Sequence, residues 1–424
     1  MAFRFIHTAD IHLDSPLKTL ASRNENLADL LSEASRTVFS RIIDLCLEEK
    51  VNALFIAGDL YDGAQTSMKT ARFLVVQLLR LESADIKTFI IRGNHDAESR
   101  ITRELSFPPL VHLFDGRGGV VSCSSSSAFP VSIHGMSFNK PHASESLVPK
   151  YKEPISGAFN IGLLHTSLNG SIGHDPYAPC TEKELWDKGF DYWALGHIHQ
   201  RFSVILQNKA IVMPGIPQGR DVNESGRKSV TLGTVQDDRT LKLEERFVQV
   251  AEFQRISISL DRITDWQTML HSVEEALEKT KSQCTAEHLI ARVHLTGSTE
   301  LAWRLRRDTD LLLEEIRVYG EKVGRTHIDK ITVFCEADHP ATDETGDTTL
   351  ELRNLIGDTI ISSQGFHDDM NKLAYSLISQ LPPDARDLFG KTEEELEAHI
   401  QDWTQEGVEN VLSSLRKPGT EQRR

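Results

Sequence analysis

The stretch Ala53-Leu-Phe-Ile-Ala-Gly-Asp-Leu-Tyr-Asp62 decides the fold of this 424-residue chain. Its first five residues are all apolar, which is the pattern of a short strand buried on both faces of a sheet. Gly58 interrupts the run, and Asp59 follows at the carboxyl end of the predicted strand. Carboxylates at that end of a buried strand are a common place for chemistry in layered α/β folds. A lone aspartate there is more often a helix cap or a turn residue, so other motifs must decide.

The elements around this stretch alternate between strand and helix patterns. Phe3–Ala9 and Lys87–Ile91 predict strands, and Asn26–Glu49 and Met68–Leu81 predict amphipathic helices. Further strands are predicted at Val131–Phe138, Phe159–Leu164, Tyr192–Leu195 and Ala210–Met213. Polar clusters follow most of these strands, so residues 1–250 predict a layered α/β domain.

After residue 250 the pattern changes to a compact α+β order. Its predicted elements are the strand Phe253–Leu260, the helix Trp266–Thr280, the strand His288–Thr296, the helix Glu300–Val323 and the strand Ile328–Cys335. A polar, acidic linker from Asp338 to Asp347 then precedes Leu350–Leu415, where apolar residues recur at helical spacing. We therefore predict a small α+β domain over 251–337 and a linker with a helical C-terminal region over 338–424.

Charge and cysteine content limit the class of protein. The net charge is −15, but residues 1–250 hold 27 basic and 29 acidic residues, whereas 251–424 hold 20 and 33. The first domain is thus nearly neutral, and bound cations would make its active face positive. Five scattered cysteines without a CxxC pair indicate a reducing compartment. With no signal-peptide pattern and no apolar run of about 20 residues, we expect a cytoplasmic protein without a membrane span.

Five polar clusters share one design, in which a strand is followed by a turn and then by His, Asp or Asn. They contain Asp10 and His12, Asp59, Asn94 and His95, His165, and His197 and His199. In Asp-x-His and His-x-His, residues two apart on an extended segment point to the same side and can reach one ion. Gly58, Gly93 and Gly196 precede such residues, where a tight turn needs conformational freedom.

The donors of these clusters predict a metal centre. Imidazole, carboxylate and amide groups without thiolate favour Mn²⁺, Fe²⁺ or catalytic Zn²⁺. The seven candidate ligands, which are the cluster residues other than His95, exceed the needs of one ion, whereas two ions about 3.5–4 Å apart that share a carboxylate would use them all. Each cluster alone has a simpler interpretation as a turn or a satisfied strand-end histidine, but their joint order favours the metal centre.

The pattern D-x-H, G-D, G-N-H-D, a lone H and G-H-x-H over residues 6–199 resembles the calcineurin-like metallophosphoesterase superfamily. Within it, the chain is similar to DNA repair exonucleases of the SbcD type and to their YhaO-like branch. The stretches that carry this resemblance are His7–Asp14, Gly58–Asp62, Gly173–Pro179, Asp191–His199 and Gln218–Glu224. The resemblance implies an αββα metallophosphoesterase domain, followed by a small α+β capping domain and C-terminal helices.

The resemblance also implies roles for single residues. The first ion would be held by Asp10, His12 and His199, the second by Asn94, His165 and His197, and Asp59 would bridge both. His95 would act as general acid, oriented by Asp62 or Asp96. The two ions would most readily be Mn²⁺, with Fe²⁺ or Zn²⁺ as alternatives. Some nucleases of this family carry a second histidine where this chain has Asp62.

The resemblance implies that the substrate is DNA and that the protein cleaves it, as an exonuclease or endonuclease, in DNA repair. Candidate phosphate contacts are Lys140, Arg201, Arg220 and Arg227, each of which is otherwise an ordinary surface charge. The C-terminal helices would dock on an SMC-like ATPase of the SbcC type, or simply pack on the chain itself, and the resemblance also allows a homodimer. Two rival functions stay open: a small-molecule phosphodiesterase or phosphatase on the same fold, and a non-catalytic scaffold that regulates an SMC-like ATPase.

Overall fold

The computed structural model describes residues 2–15, 25–61, 67–98, 106–123, 128–138, 143–169, 177–337, 352, 355–380 and 393–415. Three sequence predictions lie outside these ranges: Asp62, Lys140 and the linker that begins at Asp338. The chain forms two compact units. Unit 1 comprises Met1–Arg255, Thr280–Ala291 and Arg325–Asp329, and unit 2 comprises Ile256–Lys279, Arg292–Gly324 and Lys330–Arg424.

Strands and helices of the described residues are numbered here in chain order. The strands are β1 (Phe3–Thr8), β2 (Ala53–Ala57), β3 (Lys87–Ile91), β4 (Val111–Leu113), β5 (Gly119–Cys123), β6 (Val131–Gly135), β7 (Phe159–His165), β8 (Tyr192–Gly196), β9 (Phe202–Leu206), β10 (Lys209–Met213), β11 (Ser229–Val235), β12 (Leu241–Phe247), β13 (Ala251–Ser259), β14 (His288–Thr296), β15 (Ser298–Thr299), β16 (Thr326–Val333) and β17 (Glu336–Ala337). The helices are α1 (Glu25–Glu48), α2 (Met68–Glu82), α3 (Asn94–Glu98), α4 (Glu182–Asp187), α5 (Trp266–Gln283), α6 (Ala302–Arg307), α7 (Thr309–Val323), α8 (Gln364–Ser379) and α9 (Glu393–Leu415).

Two six-stranded sheets form the body of unit 1. Their strand orders are β12-β11-β1-β2-β3-β4 and β5-β6-β7-β8-β10-β9. In the first sheet β1 to β4 run parallel, and in the second β6, β7, β8 and β10 run parallel. The carboxyl ends of parallel strands lie at one edge of a sheet, so the clusters that follow β1, β2 and β3 are brought together, as are those that follow β7 and β8.

The buried core of unit 1 lies between its two sheets. Phe5, Phe55 and Phe89 of the first sheet share one buried cluster with Ile161 and Tyr192 of the second, so the sheets pack face to face. Each aromatic side chain buried this way contributes about 1.5–3 kcal/mol. The outer face of the first sheet is covered by α1 and α2, and that of the second packs with α4. This α-β-β-α order confirms the predicted fold class.

The three strands β13, β14 and β16 form a separate sheet in that order. The single helix predicted over Glu300–Val323 is wrong, because the helix is interrupted at Asp308. That residue has φ −102° and ψ 35°, outside helical geometry, and it lies between α6 and α7. Among the described residues no helix is long and apolar enough to cross a membrane.

In unit 2 the C-terminal helix α9 packs on α6. Ala374 of α8 and Leu396 and Ile400 of α9 form a small buried cluster. The apolar residues that recur at helical spacing are therefore only partly buried within the unit, since Leu373 and Leu377 of α8 remain more than half exposed.

Candidate metal centre

Four residues that follow the central strands have a positive backbone φ angle. Asp10, His12, Asp59 and His197 have φ values of 52°, 46°, 50° and 105°. Residues with a side chain seldom adopt positive φ, and each such residue costs on the order of 1–3 kcal/mol unless its surroundings fix it. Strained backbone of this kind is found most often at functional sites, where it orients side chains differently from an unstrained strand end.

One group of donors consists of Asp10, His12 and His199, which come from the loops after β1 and β8. One ligand atom from each lies within 4.8 Å of the others. The Nε2 atoms of His12 and His199 are 3.2 Å apart. Two atoms that each lie about 2.1 Å from one ion and meet it at a right angle are about 3 Å apart, so this spacing fits a shared cation.

A second group consists of Asp59, His165 and His197, whose ligand atoms also lie within 4.8 Å of one another. His165 Nε2 lies 3.3 Å from Asp59 Oδ2 and 3.1 Å from the amide oxygen of Asn94. The amide of Asn94 therefore lies beside this group. Oxygen and imidazole donors without sulfur suit Mn²⁺, Fe²⁺ or Zn²⁺, so the residues present fit a divalent metal centre.

Backbone hydrogen bonds connect the two groups. Both carboxylate oxygens of Asp10 accept from the His197 backbone N–H, at 3.0 and 3.1 Å. Asp59 Oδ1 accepts from the His95 backbone N–H at 3.0 Å. Each carboxylate thus holds the loop that carries another predicted site residue, which fixes the relative positions of the loops.

The protonation equilibria of the buried groups are strongly shifted. Burial raises the pKa of Asp10, whereas at Asp59 burial is outweighed by His165 and other histidines, which hold the pKa of that carboxyl below its usual range. Burial would lower the pKa of His165, but the charges of Asp59 and Asp10 raise it to about 9. Burial lowers the pKa of His12 well below its ordinary value. A cation at this site would therefore compete with a proton for the His165 imidazole.

Two glycines are required for different reasons. Gly58 has φ 95°, so the predicted need for conformational freedom is confirmed there. Gly93 does not have a positive φ, and at this position that explanation is wrong. A Cβ at Gly93 would overlap Asp59 Oδ1, so the loop after β3 needs glycine because it passes against the carboxylate.

The buried Asp96 carboxylate accepts hydrogen bonds from the backbone of two loops. Its Oδ1 accepts from the Tyr61 N–H at 2.9 Å, and its Oδ2 accepts from the N–H groups of Leu60 and Gly93 at 3.1 and 3.2 Å. Burial and the neighbouring Asp59 charge raise its pKa to about 6. These bonds tie the loop after β2 to the loop after β3.

A cleft of about 730 Å³ opens over the two groups. Its described lining includes Asp59, Asn94, His95, Tyr177, His197, His199, Arg220, Glu224 and Lys228. Arg220, one of the predicted phosphate contacts, is thus at the cleft. The Arg201 guanidinium binds Glu245 and Thr231, and that of Arg227 donates to the Gln283 carbonyl.

Sequence reasoning missed two residues of this lining. Glu224 Oε1 lies 2.6 Å from His199 Nδ1, and Arg220 also donates to this carboxylate. His199 and Arg220 hold the pKa of Glu224 below its usual range despite burial. Lys228 donates through Nζ to the Ser225 carbonyl at 3.1 Å, and burial lowers its pKa. Neither residue lies in a motif, although Glu224 closes the stretch Gln218–Glu224 that carried part of the family resemblance.

The fold and the two donor groups define a metal-dependent hydrolase of the dinuclear type, and comparisons with known proteins agree. The family described as calcineurin-like phosphoesterase matches residues 3–201, and the family described as metallophosphoesterase YhaO, middle domain, matches residues 253–336. The chain belongs to the calcineurin-like metallophosphoesterases that carry this YhaO middle domain, which confirms the predicted family.

Individual relatives give the same result. The chain is 31% identical over 330 residues to the "Uncharacterized metallophosphoesterase YhaO" of Bacillus subtilis (strain 168), covering 75% of this chain and 77% of the relative. It is 22% identical over 399 residues to a "DNA double-strand break repair protein Mre11" of Sulfolobus acidocaldarius, covering 89% and 95%. A protein of the same name from Methanocaldococcus jannaschii is 30% identical over 206 residues, covering 46% and 51%.

Proposed function

We propose that this protein hydrolyses phosphodiester bonds of DNA with two divalent ions, as an exonuclease or endonuclease in DNA repair. The observation that carries the proposal is the convergence of two donor groups, with His95 beside them, in one open cleft. The relatives named as DNA double-strand break repair proteins support DNA as the substrate class.

The proposed ion ligands are those of the two groups. Asp10, His12 and His199 would hold one ion, Asn94, His165 and His197 would hold the other, and Asp59 would bridge both. Mn²⁺ suits this mixture of oxygen and nitrogen donors, as do Fe²⁺ and Zn²⁺. When bound, two such ions stabilise charge on phosphoryl oxygens and lower the pKa of a water molecule.

His95 is the proposed general acid. Its ring lies 5.2 Å from that of His12 at 82°, and the residue is half-buried in the wall of the cleft. From this position the imidazole can deliver a proton to the leaving oxygen of a phosphodiester. Asp96 supports His95 indirectly, because it fixes the backbone of Gly93 two residues earlier.

The phosphate backbone is the proposed recognition element. Arg220 and Lys228 lie in the cleft wall and supply positive charge beside the donor groups. Arg201 and Arg227 stay predictions for the same role, but both guanidinium groups are bonded to protein acceptors. Contacts of this kind bind phosphate groups without reading sequence.

The C-terminal helices are the proposed docking site for an SMC-like ATPase. Leu373 and Leu377 of α8 are 55% and 58% exposed, at a helical spacing that presents one apolar face. Changing both to Asp should abolish co-purification with the cognate SMC-like ATPase. Val318→Asp, at an equally exposed apolar position of α7, is the control and should retain binding. Equal binding by all variants would refute this site.

Incubation of the purified chain and Mn²⁺ with labelled single-stranded DNA, double-stranded DNA and bis(p-nitrophenyl) phosphate tests the proposed activity. We expect cleavage of DNA and of the ester, both abolished by chelation. Ester hydrolysis without DNA cleavage would indicate a small-molecule phosphodiesterase. Cleavage of neither substrate would indicate a scaffold.

A further inference from the structure

His199 is bound on both sides of its ring. Its Nε2 faces His12 in the first donor group, and its Nδ1 lies 2.6 Å from Glu224 Oε1. A carboxylate that accepts the Nδ1 hydrogen fixes the tautomer of the imidazole and leaves the Nε2 lone pair for a cation. The same hydrogen bond orients the ring and makes it a stronger donor.

Glu224 is itself held in one position. Its Oε1 accepts from Arg220 Nη2 at 2.9 Å, and its Oε2 accepts from the Arg220 backbone N–H at 2.7 Å. The residue ends a single 3₁₀ turn, Val222–Glu224, whose N-cap Asp221 accepts from the Glu224 N–H. Its side chain is only 13% exposed. A buried carboxylate fixed by this many bonds is suited to orienting another group.

The corresponding acceptor in the second donor group is neutral. His165 Nδ1 lies 2.9 Å from the backbone carbonyl of Ala57, in place of a carboxylate. A charged acceptor strengthens an imidazole donor more than a peptide carbonyl does, because charge-assisted hydrogen bonds are roughly twice as strong. The two donor groups therefore differ in the support that these two histidines receive.

We infer that Glu224 is a positioning residue that sets the affinity of one ion, the ion held by Asp10, His12 and His199. This inference rests on the proposed two-ion centre. Removal of Glu224 should weaken binding of that ion, about 10- to 100-fold, as for other carboxylates behind a ligating histidine. The ion held with His165 should bind as before, because Glu224 touches His199 and Arg220 rather than that ligand.

Calorimetric titration of the full chain with Mn²⁺, together with the number of ions retained after gel filtration, tests the inference. Glu224→Gln keeps the shape and an acceptor for Nδ1–H, so we expect a loss near tenfold at one site. Glu224→Ala removes the acceptor, so its loss should be larger. Glu245→Gln is the matched control, because Glu245 also pairs with an arginine, Arg201, at 2.9 Å.

The outcomes separate the inference from the proposed function. Two ions in the wild type and one selectively weakened in both Glu224 variants would support Glu224 as the positioning residue. Unchanged binding in Glu224→Gln and Glu224→Ala, or equal weakening of both ions, would overturn it while leaving the two-ion centre intact. Fewer than two ions in the wild type would overturn the centre itself. Circular dichroism of the metal-free variants checks that they fold.

Discussion

Asp59 Oδ2 lies 3.3 Å from His165 Nε2, and both side chains are almost completely buried. Asp59 follows β2 of the first sheet, and His165, 106 positions later, is the last residue of β7 in the second sheet. Burial would lower the pKa of His165, but the charges of Asp59 and Asp10 raise it to about 9. Both side chains belong to the second donor group, so this contact lies where the proposed second ion would be held.

Replacement of His95 by Ala tests its proposed role. We expect hydrolysis of a phosphodiester ester to fall about 10²- to 10⁴-fold, which is the usual contribution of a general acid. Metal content should stay at the wild-type level, because His95 is not among the proposed ligands. Loss of metal from this variant would contradict the assignment.

Gly93→Ala tests the close approach of the loop to Asp59. The added Cβ would overlap Asp59 Oδ1, so the carboxylate must move and metal binding should be weakened or lost. Gly365→Ala is the control, since a Cβ there meets nothing within 4 Å. The number of metal ions bound per chain is measured for both purified proteins. Retention of two ions by Gly93→Ala would show that the Asp59 carboxylate does not need the space beside Gly93 to bind metal.

Lys228→Met tests the proposed phosphate contact. Hydrogen bonds to charged groups contribute about 1.5–3 kcal/mol, so the KM for DNA should rise about tenfold or more, with a smaller change in kcat. Arg227→Met, at the adjacent position outside the cleft lining, should change KM less, because its guanidinium donates to the Gln283 carbonyl. A larger effect from Arg227→Met would reverse the assignment.

The burial of His7 predicts that the free energy of unfolding depends on pH. Its Nδ1 lies 2.9 Å from the Tyr192 hydroxyl and its Nε2 lies 3.1 Å from the Leu195 carbonyl, an arrangement that suits the neutral ring. Burial lowers its pKa to about 3, against about 6.5 when unfolded. Between these values the unfolded chain binds a proton that the folded chain does not, so stability falls as pH falls.

The size of this effect can be measured by urea unfolding at pH 6.0 and 5.0. One proton taken up on unfolding corresponds to about 1.4 kcal/mol per pH unit. The slope for His7→Gln should be smaller than that of the wild type by about this amount. Parallel slopes would show that His7 does not titrate as its burial implies.

The sequence is most informative about features that depend on neighbouring residues, such as strands and the polar residues that follow them. The strands and the donors after them follow from apolar runs that end in polar residues, and this is why Asp10, Asp59 and His165 were identified as site residues. Contacts between distant loops carry no such signal. Glu224 lies 25 residues beyond His199, and Lys228 is one of many basic residues, so the sequence alone singles out neither.

Backbone strain and helix breaks were also beyond the sequence. The positive φ of His197 depends on the packing of the surrounding loops, and nothing in Gly-His-Ile-His indicates it. At Asp308 the backbone leaves helical geometry, although the apolar spacing continues from α6 into α7. Apolar spacing alone therefore predicts one helix where the structure has two.

The number of Mn²⁺ ions bound per chain, in the wild type and in Asp59→Asn, tests the proposed two-ion centre most directly. We expect two ions in the wild type and a loss of both in the variant, because a neutral amide bridges two cations poorly. Circular dichroism of the metal-free proteins provides the control for folding. Two tightly bound ions in Asp59→Asn would contradict the account, since Asp59 would then not be the shared ligand.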